Sequence, residues 1–345
     1  MSDPVHIIGA GLIGLSTADS LMDRGRSVVI WDAAKAPGLG ASFANSALLH
    51  PSQAAPWLVE GFSDDISEEE RDTITREGME LSGRSTDRIK LRMKEMGLPP
   101  DRQGLIQIFA TDADRDERME SYARFGVRAE RANWMGHPAV DIPEDSCADA
   151  RAYTRSLAED LVARGAEFRM DQRVKLELGD GGLVCIQPPE GDRICMKQLV
   201  VAAGHATGRL LKTLGLDVGV DGVPGHALRF RRTDGVDSDR PVMDTTSRSA
   251  LSVLDDEIRI SGSVGLDSPD DLLPIWSEIS PELVKLLGEP LGRWTGHRPV
   301  ARKGRPFMGE TDMKGLFVNA GHAHMGWTLS AGAGEMVADA VMAGR

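Results

Sequence analysis

The sequence predicts an α/β fold: a Rossmann-like domain assembled from discontinuous segments, joined to an α+β domain built on an antiparallel sheet. Three observations predict it. Residues 5–32, VHIIGAGLIGLSTADSLMDRGRSVVIWD, read as an apolar strand, a glycine turn, a helix with a small-residue face and a second apolar strand. Residues 198–204, QLVVAAG, are a further apolar run closing in glycine, as a buried parallel strand does at the end that meets a ligand, and 315–322, GLFVNAGH, reads as another strand. Residues 226–233, 241–245, 249–254 and 257–264 alternate in part, the pattern of a half-buried antiparallel sheet.

The first unit carries Gly9-x-Gly11-x-x-Gly14. In a dinucleotide-binding βαβ unit the first glycine permits the tight turn. The second lets backbone approach a pyrophosphate, and the third lets the helix pack on the strand. Ala18 continues the packing face, Gly25 ends the helix, and Asp32 closes the second strand where a carboxylate can bind ribose hydroxyls. The loop 33–56, rich in Gly, Ala, Ser and Pro, is too long for a simple connection, which marks it as functional; it holds Ser42, Asn45, Ser46 and His50. A polar run at 64–76 begins a helix capped near Ser67, with a solvated face, that continues through Met79 to Met96 and stops at Gly97, with Pro99 beyond. Residues 104–110 read as a strand and 112–125 as a polar helix. From Asp149 a helix runs to Gly165, followed by a strand, so the first domain resumes after an interruption.

Composition bounds the function. At 345 residues and 41% hydrophobic content the chain can bury the cores of about two domains. A net charge of −13 speaks against a nucleic-acid surface. Cys147, Cys185 and Cys195 show no CxxC or metal-ligand spacing and cannot all pair, which fits a reducing compartment and no metal site. The N-terminal apolar run is short, lacks a basic leader and is taken up by the glycine motif; neither a signal peptide nor a transmembrane segment is expected, and the expected location is cytoplasmic.

The final third holds a block from Thr295 to Gly309, TGHRPVARKGRPFMG, then the strand at 315–322 and MGWTLSAGAGEMVADAVMAG. Gly321, Gly326, Gly332 and Gly334 favour close backbone approach to a flat or phosphorylated ligand, with a helix from about Ser330 offering its N-terminal dipole. Tight helix packing would use the same glycines.

Four blocks together resemble the D-amino-acid oxidase superfamily of FAD-dependent amine oxidoreductases, and within it the bacterial D-amino-acid dehydrogenase branch of the small-subunit type. They are GAGLIGLSTADSLMDRG with its strand to Asp32, the stretch from Ser42-Phe-Ala-Asn-Ser46 through Ala54-Ala-Pro-Trp57, Thr295-Gly-His-Arg-Pro-Val300, and Gly321-His-Ala-His-Met-Gly-Trp-Thr328. The resemblance implies FAD as cofactor, an FAD-binding domain over 1–60, 145–220 and 296–345, and a substrate domain over 61–144 and 221–295. By the same resemblance, Gly9, Gly11 and Gly14 hold the pyrophosphate and Asp32 the adenosine ribose, while Ser42, Asn45 and Ser46 lie along the pyrophosphate and flavin. Val174 would meet the adenine through its backbone, and Gly204 would approach the nucleotide. Gly321, His322, Met325, Gly326, Trp327 and Thr328 would border the isoalloxazine, their amides stabilising negative charge at N1–O2 of the reduced ring.

Arg298 matches the arginine that grips the substrate carboxylate in this superfamily, a role suited to its planar, always-charged fork. A structural ion pair is the rival role for it. The implied reaction is oxidative deamination of a D-amino acid or related small carboxylated amine, by hydride transfer from the α-carbon to flavin N5. The imino product then hydrolyses to a 2-oxo acid and ammonia. His50 and His324 are candidates to take a proton from the substrate ammonium or to bind a polar substituent. The electron acceptor, whether quinone, oxygen or a partner protein, is left open.

Departures from the branch bear on the substrate. Tyr122 and Tyr153 lie outside the segments expected to line the pocket, Gln53 stands where an aromatic is usual, and the stretch between Trp57 and Met79 is short. That shortening removes a loop expected to shield the flavin or touch a membrane, so peripheral membrane contact is left open. Arg229, Arg231 and Arg248 read either as surface residues or as partners for an extra acidic group. Alternative functions are the flavin subunit of an opine or hydroxyproline dehydrogenase complex, and a non-catalytic flavin-binding scaffold.

Overall fold

The computed structural model describes residues 3–233, 240–262 and 265–344. Strand β1 (Val5–Ile8) is wholly buried and leads through Gly9 into helix α1 (Leu12–Asp23) and strand β2 (Val28–Trp31). Gly9 adopts φ 117°, and a Cβ there would stand 2.2 Å from the Ala202 carbonyl oxygen; at Gly14 it would stand 1.9 Å from the Gly9 oxygen. Gly9 is therefore demanded by its left-handed backbone and by the chain at Ala202 beside it, and Gly14 by the turn itself. The long loop that follows contains only β3 (Leu48–Leu49) and a 3₁₀ turn at Pro51–Gln53.

Helix α2 (Glu68–Glu95) starts where the sequence predicts, the Ser67 hydroxyl accepting the Glu70 N–H. Next come β4 (Arg102–Ile108) and α3 (Asp112–Phe125), the helix closed by a Thr111–Asp114 capping box and by Gly126 in the left-handed region. A hairpin of β5 (Glu130–Trp134) and β6 (His137–Cys147) lies where the sequence reading assigned nothing, because ERANW is polar and half exposed and lacks an apolar alternation. Then follow α4 (Ala150–Ala163), β7 (Glu167–Arg169), β8 (Lys175–Leu178), β9 (Val184–Gln187), β10 (Ile194–Met196), β11 (Leu199–Val201) and α5 (Ala206–Lys212). The second half supplies β12 (Val220–Arg231), β13 (Val242–Asp244), β14 (Ser249–Val253) and β15 (Glu257–Gly262). These match the four expected segments, except that positions 263 and 264 of the last lie outside the described residues. Helices α6 (Leu272–Ile279) and α7 (Pro281–Leu287), strands β16 (Gly292–Ala301), β17 (Phe307–Glu310) and β18 (Leu316–Ala320), and helix α8 (Gly326–Ala343) complete the chain.

A six-stranded sheet runs β17-β18-β11-β1-β2-β7, parallel throughout except for β17. Chain order reverses at β1, which opens a crevice at the carboxyl end of that strand, beside Gly9. Helices α1, α2 and α8 stack over one face. A Cβ on Gly334 would lie 2.6 Å from the Ser16 backbone and one on Gly332 2.7 Å from Leu81, so these two glycines serve helix packing. A nine-stranded mixed sheet contains the path β16-β12-β15-β14-β13-β4-β6-β3, with β5 beyond β6 and a single parallel pair, β13 with β4. Trp276, Leu283 and Leu287 from α6 and α7 cover one of its faces, over Leu228, Phe230, Leu251 and Ile260. Its other face carries Arg298, Gly225 and Arg259 toward the loop after β2.

Three expectations are corrected. The segment boundaries shift, because β16 runs unbroken to Ala301 in the large sheet, β6 stays in that sheet to Cys147, and α2 packs on α1 and α8 rather than on that sheet. The helix can do so because a stripe of Ile74, Leu81, Ile89 and Met93 is buried, and because Arg88 and Arg92 meet Asp19 of α1, a residue Arg164 also reaches at 2.5 Å. Helix α8 begins at Gly326, four residues before the expected start, since glycine-rich sequence understates helix. Finally, Cys185 and Cys195 are directly opposed across β9 and β10 and form a disulfide, leaving Cys147 free and buried; the reading of the cysteines as thiols of a reducing compartment missed this pairing, which only strand register creates.

Candidate active site

One end of the site is the turn between β1 and α1. Ala10 N–H donates to Asp32 Oδ2 and Ala34 N–H to Asp32 Oδ1, each at 2.7 Å, so the carboxylate braces the glycine turn and keeps a lone pair free on each oxygen. The Ser42 hydroxyl accepts the Leu12 N–H at 3.0 Å and thereby closes over the start of α1. A Cβ on Gly11 would meet only this Ser42 oxygen, at 3.3 Å. Gln172 N–H donates to the Asp32 carbonyl, bringing Val174 beside the end of β2. Gly204 follows β11 in the left-handed region with open space where a Cβ would stand. Chain segments far apart in sequence thus converge on one helix N-terminus, where unpaired N–H groups and the dipole favour phosphate.

The middle of the site is the segment 45–50, and the large sheet holds it. Arg259 is 1% exposed and its Nη1 donates to the Asn45 carbonyl at 2.9 Å; the Ser252 hydroxyl donates to the Ser46 carbonyl at 2.5 Å. Ala148 N–H reaches the Ala47 carbonyl, and His50 N–H reaches Thr328 Oγ1 at 3.1 Å. Ala47, buried, sits at φ 59°. Arg259 is ion-paired to Glu257, which also takes Arg229 at 2.5 Å. The sequence reading gave Arg259 no role and left Arg229 at the surface or facing an acidic ligand. The structure spends Arg229 on a charge triad that anchors this loop; only the pairing of neighbouring strands, invisible in sequence, brings the three together.

The other end is the pocket. The His50 and His324 rings stack with centroids 5.8 Å apart, and Trp57 stands edge-on to His324 at 6.1 Å. The Arg298 guanidinium lies 5.7 Å from the Trp57 ring. Arg298 makes no ion pair or hydrogen bond with any described residue, and its Nη1 is buried without a partner. Burial alone pulls its pKa down to about 10, a measure of how strongly the site lacks an anion. Burial also lowers His50 to about 3, helped by His324, and lowers His324 to about 4, helped by Arg298 and Arg248. His322, desolvated likewise, falls to about 4. At neutral pH these imidazoles are uncharged and weakly basic, suited to polar contact more than to stripping an ammonium.

Behind the pocket lies a polar chain the sequence reading missed. His324 Nε2 bonds the Gln53 carbonyl at 2.8 Å; the Gln53 amide donates to the Tyr122 hydroxyl at 2.6 Å, and that hydroxyl donates to Gln107 at 2.5 Å. Gln53 also meets Ser52, whose hydroxyl donates to Asp145 at 2.5 Å. Tyr122, expected away from the pocket, thus supports it from behind, whereas the Tyr153 ring packs 4.8 Å from Trp327. Trp327 turns its side chain into the core, so of the border residues it offers backbone only; Met325 packs on Leu81 and Leu329. Gly321 is at φ 90°, and Gly326 and Thr328 lie in the first turn of α8.

The residues fit FAD. A glycine cradle beneath a helix N-terminus stands at one end, and the buried, partnerless Nη1 of Arg298, Nδ1 of His50 and of His324, and both nitrogens of His322 cluster with a second helix start at the other. No group of His, Cys, Asp and Glu among the described residues could hold a metal, and no described helix is long and apolar enough to cross a membrane. Comparison with known proteins agrees with the fold. Curated relatives include D-amino acid dehydrogenases of Granulibacter bethesdensis, with 27% identity over 98% of this chain and 95% of the relative, and of Methylobacterium sp., with 27% identity over 98% and 94%. Similar solved structures include glycine oxidase from Geobacillus kaustophilus, at TM-score 0.81 and 21% identity over 98% of this chain and 94% of that one. Another is iminodiacetate oxidase from Chelativorans sp., at TM-score 0.82 and 21% identity over 98% and 95%. The family of FAD dependent oxidoreductases named DAO matches residues 4–340, and the chain belongs to it: it is a flavoenzyme that takes FAD.

Proposed function

We propose that the protein catalyses oxidative deamination of a D-amino acid or a related small carboxylated amine. The observation that carries this is Arg298, a desolvated cation with no anionic partner, set against Trp57 beside a pair of neutral histidines. A carboxylate is the group that satisfies its fork with two charge-assisted hydrogen bonds. When bound, FAD supplies acceptance of the α-hydride. Gly9, Gly11, Gly14, Asp32, Ser42, Val174 and Gly204 would hold its nucleotide half, and Asn45, Ser46, Gly321, His322, Met325, Gly326, Trp327 and Thr328 would border the ring.

The chain's own contribution is orientation. With the carboxylate on Arg298, the α-carbon is fixed relative to loop 45–50, and that loop is pinned by Arg259 and Ser252. His50 and His324 wall the pocket and stay uncharged, so they do not repel a substrate ammonium. The substrate gives up its α-hydrogen with two electrons and a nitrogen proton; water then adds to the imine and releases ammonia and a 2-oxo acid. The test is turnover with an artificial electron acceptor across D-amino acids, L-amino acids, glycine, sarcosine and prolines, with ammonia and 2-oxo acid measured together. Release of both from one class supports the reading. Turnover of simple alkylamines in preference to carboxylated ones would overturn it.

A further inference from the structure

A cavity of about 860 Å³ opens between loop 33–56, the C-terminal end of α2, helix α4, strand β7 and the β14–β15 turn. That volume lies within the roughly 300–1,000 Å³ of small-molecule sites. None of the residues that would hold FAD or the substrate carboxylate lines it. The two sites nevertheless share a wall. Pro37, Gly38 and Phe43 line the cavity, while the Gly38 N–H donates to the Ala10 carbonyl in the glycine turn at 2.9 Å and Ser42, next to Phe43, accepts the Leu12 N–H. Gly38 also fits closely on α4, where a Cβ would stand 2.8 Å from the Thr154 methyl.

Much of the lining is apolar. Met93, Leu98, Pro99, Phe168 and Met170 contribute to it, and two further lining residues, Leu39 and Val162, are 47% and 57% exposed, apolar surface that an occupant would cover. One charge in the cavity has no counterpart. The Arg151 guanidinium lies 4.4 Å from the centre of the Phe43 ring and makes no hydrogen bond or ion pair with any described residue. The acids that line the cavity are largely committed: Glu257 to Arg229 and Arg259, Asp255 to Arg102, Asp149 to the Arg151 N–H and Arg259, and Glu159 to Arg155. Asp256 is exposed in the β14–β15 turn. The ring beneath Arg151 orients its fork before an anion arrives. A single arginine without an acidic partner balances one negative charge, and the acids that share the lining disfavour a second.

We propose that this cavity is a second ligand site, for an apolar monocarboxylate whose anionic group pairs with Arg151 and whose body lies against the apolar lining. The loop that forms its wall also closes over the start of α1, so this ligand and FAD stabilise the same loop conformation and each tightens the binding of the other. The site is independent of the Arg298 pocket and of the reaction proposed there.

The probe is 2-naphthoate, with 2-naphthalenemethanol as its uncharged counterpart, each titrated calorimetrically into the FAD-loaded protein. Both are also titrated into Arg298→Met, which separates this cavity from the substrate pocket. The carboxylate should bind about tenfold or more tighter than the alcohol, in the parent and in Arg298→Met alike. That ratio should collapse toward one in Arg151→Gln and be partly restored in Arg151→Lys, and Ala152→Phe, which fills the cavity, should remove binding of both compounds. Saturating 2-naphthoate should lower the dissociation constant of FAD about threefold or more. Absence of binding, equal binding of acid and alcohol, a preference lost in Arg298→Met or kept in Arg151→Gln, or binding that survives Ala152→Phe overturns the site. An FAD affinity indifferent to bound 2-naphthoate overturns the coupling.

Discussion

Replacing Arg298 with Met separates function from stability by sign. The guanidinium is desolvated and unpaired in the free protein, so the fold bears its burial without a compensating ion pair. Methionine fills comparable volume without that cost, and apolar replacements of buried charges commonly stabilise by about 1–4 kcal/mol. The contact with the Trp57 ring, desolvated along with it, offsets about 2 kcal/mol of this. The flavin-loaded variant should therefore melt at or above the parent, by up to roughly 3 °C for a chain of this size. Catalysis should move the other way. Losing one partner of a desolvated carboxylate pair costs about 2–5 kcal/mol, a fall in kcat/KM of roughly thirty- to several-thousand-fold, mostly in KM. Thermal melts and anaerobic reduction by substrate read the two effects separately. A variant that melts several degrees lower, with KM unchanged on a carboxylated substrate, would refute the reasoning and return Arg298 to a structural role.

Gly11→Val should fold yet lose FAD, because its Cβ meets only Ser42 while the new methyls occupy the pyrophosphate approach; Gly14→Val should fail to fold, since its Cβ would collide with the Gly9 carbonyl. Circular dichroism with flavin content tells the two apart, and a flavin-replete Gly11→Val contradicts the assignment. Asp145 is raised by burial to about 7, so the folded protein keeps a proton that the unfolded chain releases near its ordinary value. Its contribution to stability is thus present at low pH and lost as pH rises through about 4 to 7, with a ceiling of about 4 kcal/mol. Denaturant melts of Asp145→Asn against the parent between pH 5 and 8 should show the parent losing ground as pH rises; parallel profiles would dismiss the buried proton. Arg259→Met should loosen the Asn45 carbonyl and leave Glu257 to Arg229 alone, destabilising by about 3–5 kcal/mol and weakening FAD binding in a flavin titration. An unaltered FAD affinity would show that the clamp does not act on the cofactor.

What could be read in advance was what depends on local chemistry. The turn at Gly9–Gly14 needs glycine for reasons internal to the turn, and α2 and α3 announce themselves through Ser67 and Thr111 and through their glycine stops. Strands β12 to β15 showed in their partial alternation. The hidden parts depend on register or on distant contacts. Strand β5 is polar because it edges the sheet beside β6, and β16 was masked by the glycines, histidine and proline within it. The disulfide requires Cys185 and Cys195 to fall opposite one another. In the site, Trp57 stands between the Arg298 guanidinium and the stacked rings of His50 and His324. Arg259, Tyr122 and Gln107 were not foreseen, because each acts through a backbone carbonyl or an amide that no spacing in the sequence reveals.

The central claim is that a carboxylate, gripped by Arg298, presents an α-hydrogen to bound FAD. The measurement that tests it most directly is the visible spectrum of the purified, FAD-loaded protein under anaerobic conditions, titrated with a carboxylated amine and with its decarboxylated counterpart. The account predicts bleaching of the flavin band by the first and none by the second, and loss of that discrimination in Arg298→Met. Equal bleaching by both compounds, or a band that no carboxylated amine bleaches, would contradict it.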